Sequence, residues 1–193
     1  MPDTLKNGKR CMKTTPLIQE AFINHAQTRN LPKKHSLLHQ GEVSRYAYFV
    51  KSGCLRMWYN DCDNDITVKF FIPGDVVASL ESFYQETPSK FGIESIVPTV
   101  VMTVSKAVFT EQLDKSVAFK DEVLAISISC MADYQNLFLN RIMTNPEERF
   151  RLLMEQHPQL FEIIPHHYIA SYLGITPVSL SRIRKRLESI NNC

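Results

Sequence analysis

The sequence predicts an α+β protein in which an antiparallel barrel or sandwich of short β-strands lies between helical segments. Three features carry this prediction. From about Leu31 to Ser105 the chain runs in short aromatic and β-branched stretches broken by turn residues. Beyond Ser105 apolar residues recur every three or four positions, and the C-terminal stretch places helix caps on either side of one glycine.

In TPLIQEAFINHAQTRN, Leu17, Ile18, Ala21, Phe22 and His25 fall at helical spacing. Thr15 is placed to cap this helix, and Pro16 takes the first position, where its missing N–H costs nothing. The strand block follows as HSLLH, YAYFV, CLRMWYN, ITVKFFI, FGIESIV and VVMTVS, an antiparallel barrel or sandwich with Trp58 and Tyr59 in its wall. Gly41, Gly53, the DCDND run at 61–65 and the pair Pro73 and Gly74 stand where strands must reverse.

A short helix is expected near Val108–Leu113 and a long one from about Val117 to Met143. Along the long helix Phe119, Val123, Ile126, Cys130, Tyr134, Leu137 and Arg141 draw one seam. A seam needs a partner, either the barrel of the same chain or the same helix of a second subunit. The second is the expectation, with Phe119, Val123, Ile126, Cys130, Tyr134 and Leu137 as the interface of a homodimer. Asn145, Pro146, Glu147 and Glu148 then open a new helix as cap, first residue and dipole partners, which puts a domain boundary between residues 1–144 and 145–193.

With 193 residues and 44% hydrophobic content the chain can fill one mid-sized core and a small second one, so disorder is excluded as a class. A net charge of +2 says little about partners, because nucleic-acid binding needs a local basic face. No stretch approaches the roughly 20 apolar residues of a membrane span, and the polar start lacks a secretory core, so a cytoplasmic location is expected. Cys11, Cys54, Cys62, Cys130 and Cys193 are scattered and odd in number; reduced thiols, no cofactor and no metal centre are the expectation.

In HHYIASYLGITPVSLSRIRKRL, Ile169, Ala170 and Leu173 form the inner face of one short helix, and Gly174 permits a tight left-handed turn. Thr176 caps a second helix that starts at Pro177 and turns Leu180, Ile183 and Leu187 inward. Val178, Ser179, Ser181, Arg182, Lys185 and Arg186 face outward, with Arg184 on the flank. A charge run such as Arg184–Arg186 alone only meets water. Short hydroxylated residues at the helix start with cations behind them suit a major groove, so this is a helix-turn-helix in grammar.

With HQGE, YFVKSG and PGD in the strand block and IASYLGITPVSLSRIRKRL at the end, the chain resembles the Crp/Fnr family of bacterial transcription regulators, in particular its compact Bacteroidetes members. The resemblance implies a cyclic-nucleotide-binding-like jelly-roll, a dimerisation helix and a small winged-helix-like domain. It also implies double-stranded DNA, RNA polymerase and a small-molecule effector as partners. Val178, Ser179 and Arg182 fall where the family reads operator bases and adjoining phosphate; His166 and His167 fall where it touches phosphate. With Thr176, Ser181, Lys185 and Arg186 these make the candidate DNA-contacting set. Val178 departs from the glutamate often found there. Six residues follow Leu187, so wing strands are expected before the motif or not at all.

The family's cyclic-AMP binders place a glutamate and an arginine after PGD. Ser79 and Ser89 occupy those positions here, so a response to cyclic AMP is not expected. The candidate effector pocket is Gly74, Ser79, Leu80, Glu81, Ser89 and Lys90, in which Glu81 and Lys90 could substitute after a register shift. Two rivals keep the same strands. One is a small-molecule-binding module that regulates a partner protein and uses the helical tail for packing; the other is a cupin-like enzyme with His35, His39 and Glu42 on a metal.

Overall fold

The structure, a computed structural model, describes residues 15–62 and 64–191, apart from the side chains of residues 21, 22, 188, 190 and 191. Cys11, Cys193 and the side chain of Phe22 lie outside the described set. Helix α1 (Pro16–His25) begins as its caps dictate, with the Ile18 N–H donating to Thr15 Oγ1 at 3.4 Å.

The roll is built from β1 (Gln27–Leu31), β2 (Ser36–Leu38), β3 (Tyr46–Ser52), β4 (Leu55–Asp61), β5 (Asn64–Phe71), β6 (Val76–Val77), β7 (Gly92–Ser95) and β8 (Thr99–Ser105). They form two four-stranded sheets ordered β1-β8-β3-β6 and β2-β7-β4-β5, with every ladder antiparallel. Leu38, Tyr48, Val50, Leu55, Met57, Phe71, Val77, Ile93 and Val101 fill the space between the sheets. Gly53 closes the β3–β4 reversal at φ 84°, where a Cβ would meet Pro98 O at 2.4 Å. One helix inside the block, α2 (Leu80–Gln85), escaped the periodicity because a six-residue helix spans under two turns.

After α3 (Lys106–Lys115), α4 runs from Val117 to Met143, the span the sequence predicts. α5 (Pro146–Gln156) opens on a capping box in which Asn145 Oδ1 accepts from the Glu148 N–H and Glu148 Oε2 from the Asn145 N–H, both at 3.0 Å. α6 (Leu160–Ile163), α7 (His166–Leu173) and α8 (Pro177–Asn191) complete the chain. Among the described residues no strand follows β8, so the wing implied by the resemblance is absent there.

The helices α5–α8 do not close a core by themselves. Phe150, Leu153, Leu160, Ile169, Leu173, Leu180 and Ile183 share one cluster with Cys54, Phe70, Ile72 and Ile96 of the roll. Among the described residues no helix is long and apolar enough to cross a membrane.

Candidate nucleic-acid interface

The turn between α7 and α8 forms for local reasons. Gly174 takes φ 70° and donates its N–H to Ser171 O, while the Ile175 N–H reaches Ala170 O at 3.0 Å. The Ser179 N–H donates to Thr176 Oγ1 at 3.1 Å, so Thr176 caps α8. Tyr168, Ile169, Ala170, Leu173, Leu180 and Ile183 are buried, which leaves Val178, Ser181, Arg182, Arg184, Lys185 and Arg186 exposed and Ser179 half-buried.

The expected contact set divides. Among the described residues Arg182 and Lys185 enter no ion pair. Arg186 is held by Glu147, which also takes Arg151 at 3.1 Å. Thr176 binds Ser179 Oγ at 3.0 Å as well as capping, which fixes the hydroxyl pair at the helix start. His166 and His167 are exposed at the start of α7; His166 Nε2 lies 3.3 Å from Arg184 Nη1. Partial burial, with the Arg56 charge behind it, lowers the His167 pKa below its ordinary value.

The element that positions this face is one the sequence reading missed. Arg56, the second residue of β4, is 3% exposed. Its Nη1 and Nη2 grip Asp65 at 2.7 and 2.6 Å, its Nε donates to Glu94 at 2.6 Å, and Nη1 also reaches Thr67 Oγ1 at 3.2 Å. Burial opposes the charge, but the two carboxylates outweigh it and raise the Arg56 pKa. The Tyr168 ring lies 4.0 Å from the same guanidinium. Beside it Ser171 Oγ donates to Asp65 O at 2.7 Å and accepts the Thr67 N–H at 2.8 Å. From the other side Arg141 Nη2 donates to Tyr172 O at 2.8 Å, and Arg149 donates to Leu173 O at 3.1 and 3.2 Å. The carbonyls at the end of α7 are thus satisfied by cations from α4 and α5. The one signal in sequence was an arginine interrupting the apolar run CLRMW.

In the candidate effector pocket Ser79 and Ser89 are buried with their hydroxyls 2.8 Å apart. Ser89 Oγ also donates to Phe91 O at 2.7 Å and accepts the Phe91 N–H at 3.0 Å. Gly74 turns at φ 95°, and Leu80 is exposed. Glu81 and Lys90 pair with each other at the surface, at 3.2 and 3.3 Å. The two buried positions therefore offer hydroxyls that already satisfy one another, and no charge for a ribose or phosphate. Each charge-assisted bond lost costs about 1.5–3 kcal/mol. Titration calorimetry with cyclic AMP is expected to give no micromolar binding; a micromolar isotherm would overturn this reading of the pocket.

For the metal rival, the His39 N–H donates to Glu42 Oε2 at 2.9 Å, closing a turn. Among the described residues no three His, Cys, Asp or Glu side chains are grouped to hold a metal ion. Cys54 and Cys130 are buried thiols, and Cys62 is an exposed one.

The long-helix seam needs correction. Phe119 and Cys130 are each 3% exposed within the single chain, and Val123 and Ile126 pack with Phe119 against the cluster formed by Ile18, Ala47, Ala78 and Phe83. Leu137 is half-buried, and Tyr134 stands 5.3 Å from Lys69 Nζ, while Lys69 pairs with Asp133 at 3.5 Å. The same chain thus covers much of this seam, burying Phe119 and Cys130 and half-burying Val123, Ile126 and Leu137, while Tyr134 stays 38% exposed. A second stripe, about one position along and roughly 120° around the helix, is uncovered. Leu124, Ile128, Met131, Phe138 and Ile142 recur at alternating steps of four and three, with Gln135 in register, and are 59–65% exposed.

Fold and site together define the class: a β-roll carrying a long helix, with a helix-turn-helix pair packed against β5 of one sheet. Residues 28–116 match the family profile described as the cyclic nucleotide-binding domain. The chain shares its architecture with the Crp/Fnr transcription regulators. FixK2 from Bradyrhizobium japonicum superposes with a TM-score of 0.77 at 20% identity, covering 86% of either chain. The c-di-GMP-responsive global regulator CLP of Xanthomonas campestris gives 0.70 at 14% identity, covering 92% of this chain and 93% of its own. A protein described as a Crp/Fnr-family transcriptional regulator, from Eubacterium rectale, gives 0.69 at 16%, covering 91% and 84%. No curated protein matches the chain in sequence.

Proposed function

We propose that the protein is a homodimeric, sequence-specific DNA-binding transcription regulator of the Crp/Fnr type. Residues 1–144 form its effector and dimerisation part, and 145–193 its DNA-binding part. The observation that carries this reading is the exposed face of α8: Val178, Ser179 and Ser181 at the start, with Arg182 and Lys185 unpaired among the described residues behind them. Such a face suits base edges near the helix start and phosphate or guanine further along. The Leu124 to Ile142 stripe is the dimer contact, and an effector acts by biasing that contact and so the spacing of two α8 helices toward the roughly 34 Å of one DNA turn. The Ser79–Ser89 pair supports an effector other than cyclic AMP; CLP, described as responsive to c-di-GMP, is a relative in fold with another nucleotide ligand.

Selection from a random duplex library at two salt concentrations tests the reading. The expected result is an enriched palindrome. Uniform loss of binding with salt and no enrichment would reduce the α8 face to nonspecific phosphate contact, and no binding at all would favour a module that regulates a partner protein. On the selected site Arg182→Ala is expected to cost about 1–3 kcal/mol, with little loss on random DNA. Equal loss on both would make Arg182 a phosphate contact only.

A further inference from the structure

We propose that a hollow between α5, α6, α7 and the first half of α8 is a binding site for a short-chain carboxylic acid, and that the acid seated there competes with DNA. The competition rests on the DNA-binding reading above; the site itself does not.

The hollow has a volume of about 100 Å³. Four apolar side chains wall it: Phe150 of α5, Phe161 of α6, and Pro177 and Leu180 of α8. The Phe150 and Phe161 rings meet edge to face, with centroids 5.1 Å apart and planes at 71°. Each ring braces the other, and Phe150 and Leu180 are buried in the core shared with the roll, so the walls are fixed.

His166, Ser181 and Arg184 complete the lining, and all three are exposed, so they form the rim. Arg184 Nη1 lies 3.3 Å from His166 Nε2; a guanidinium only donates, so the imidazole nitrogen accepts. That contact ties two rim residues together and uses one donor of the guanidinium fork. Glu147, the acid of α5 that reaches α8, is taken by Arg186 and Arg151.

The lining gives the ligand. A cavity of about 150 Å³ holds benzene, so one of about 100 Å³ takes an aliphatic group of about four carbons. The polar groups of a mostly apolar pocket orient what binds in it, and here they are a guanidinium, a hydroxyl and an imidazole, which suit a carboxylate. A branched tail against Phe150, Phe161 and Leu180 with its carboxylate on Arg184 meets both halves of the site. At Ser79 and Ser89 the roll offers an anion hydroxyls alone, whereas this hollow offers a cation. His166 and Ser181 belong to the candidate DNA-contacting set and Arg184 flanks it, so the acid and a duplex claim the same groups.

Titration calorimetry of the full chain with 3-methylbutanoate, whose tail is of that size, tests the site. The expected dissociation constant is about 1 mM or tighter, within the reach of so small a ligand. Acetate, which lacks the tail, and 3-methylbutanamide, which lacks the charge, should each bind about tenfold more weakly or worse. Arg184→Gln, at an exposed position, should bind acid and amide alike. Phe161→Trp, which puts a larger ring into the hollow, should bind neither. On the selected operator, 3-methylbutanoate at about ten times its dissociation constant should weaken wild-type binding about tenfold, with sodium acetate at the same concentration as the ionic control. Phe161→Trp should keep its operator affinity and lose that response. No binding of the acid, equal binding of acid, amide and acetate, or an operator affinity indifferent to the acid would overturn the proposal. A wild type that binds the acid selectively and no duplex would overturn the DNA-binding reading and the competition, and would leave the acid site standing.

Discussion

Replacing Phe138 by glutamate is expected to convert the proposed dimer into monomers at micromolar concentration and to abolish tight binding to a palindromic site. Phe138 is 65% exposed on the single chain and sits in the register of Leu124, Ile128, Met131 and Ile142. Across a two-fold contact the substitution removes two buried phenyl rings, each contributing about 2 kcal/mol, and sets two carboxylates against each other in an apolar seam. A loss of about 4 kcal/mol or more weakens dimerisation by about a thousandfold or more. Sedimentation velocity reads the mass and operator titration the consequence, since a monomer engages only one half-site. Cys130→Ala, on the inward face, should leave the dimer intact at some cost in stability. A Phe138→Glu protein that stays dimeric would move the interface elsewhere.

Arg56→Ala should be the most damaging single change to the fold. The guanidinium links Asp65 on β5, Glu94 on β7 and Tyr168 on α7, and it is nearly inaccessible to water. Breaking a buried ion pair by removing one partner costs about 3–5 kcal/mol. The Asp65 side chain is 50% exposed and can rehydrate, which favours the lower end, about 3 kcal/mol. Denaturant unfolding should show that loss, and operator affinity should fall as well, because α7 loses its seat on β5. Arg56→Lys should recover less than half of it, since an ammonium cannot serve two carboxylates and a ring from one fork. Unfolding of Arg56→Ala at the wild-type midpoint would show that the shared apolar cluster alone docks the helices.

The features legible in the sequence are those whose physics is local. Thr15, Ser116, Asn145 and Thr176 each cap the helix that follows, because a side-chain oxygen and the next free N–H groups are close in sequence. Gly41, Gly53, Gly74 and Gly174 all take positive φ, since chain reversal there demands a conformation that other residues resist. The outward residues of α8 followed from the same logic, because Leu180 and Ile183 had only one way to turn.

The face of α4 did not follow. Both stripes along it, Phe119 to Leu137 and Leu124 to Ile142, satisfy the same three-and-four spacing, and periodicity cannot tell which one meets the roll. Only packing resolves it, through Phe119 lying against Phe109 at 5.5 Å and Lys69 reaching Asp133. The pairing of Ser79 with Ser89 and the grip of Arg56 on Asp65, Glu94 and Tyr168 are of the same kind. What the sequence determined by itself is the order and type of the longer elements, though not of β1, α2 and α6, and the chemistry of the α8 face, because these depend on neighbours a few residues apart. What the tertiary structure decided is which surface remains free and how the helix-turn-helix is seated. Those depend on partners brought together across as many as 112 positions, as between Arg56 and Tyr168, where desolvation and geometry select among surfaces that look alike in sequence.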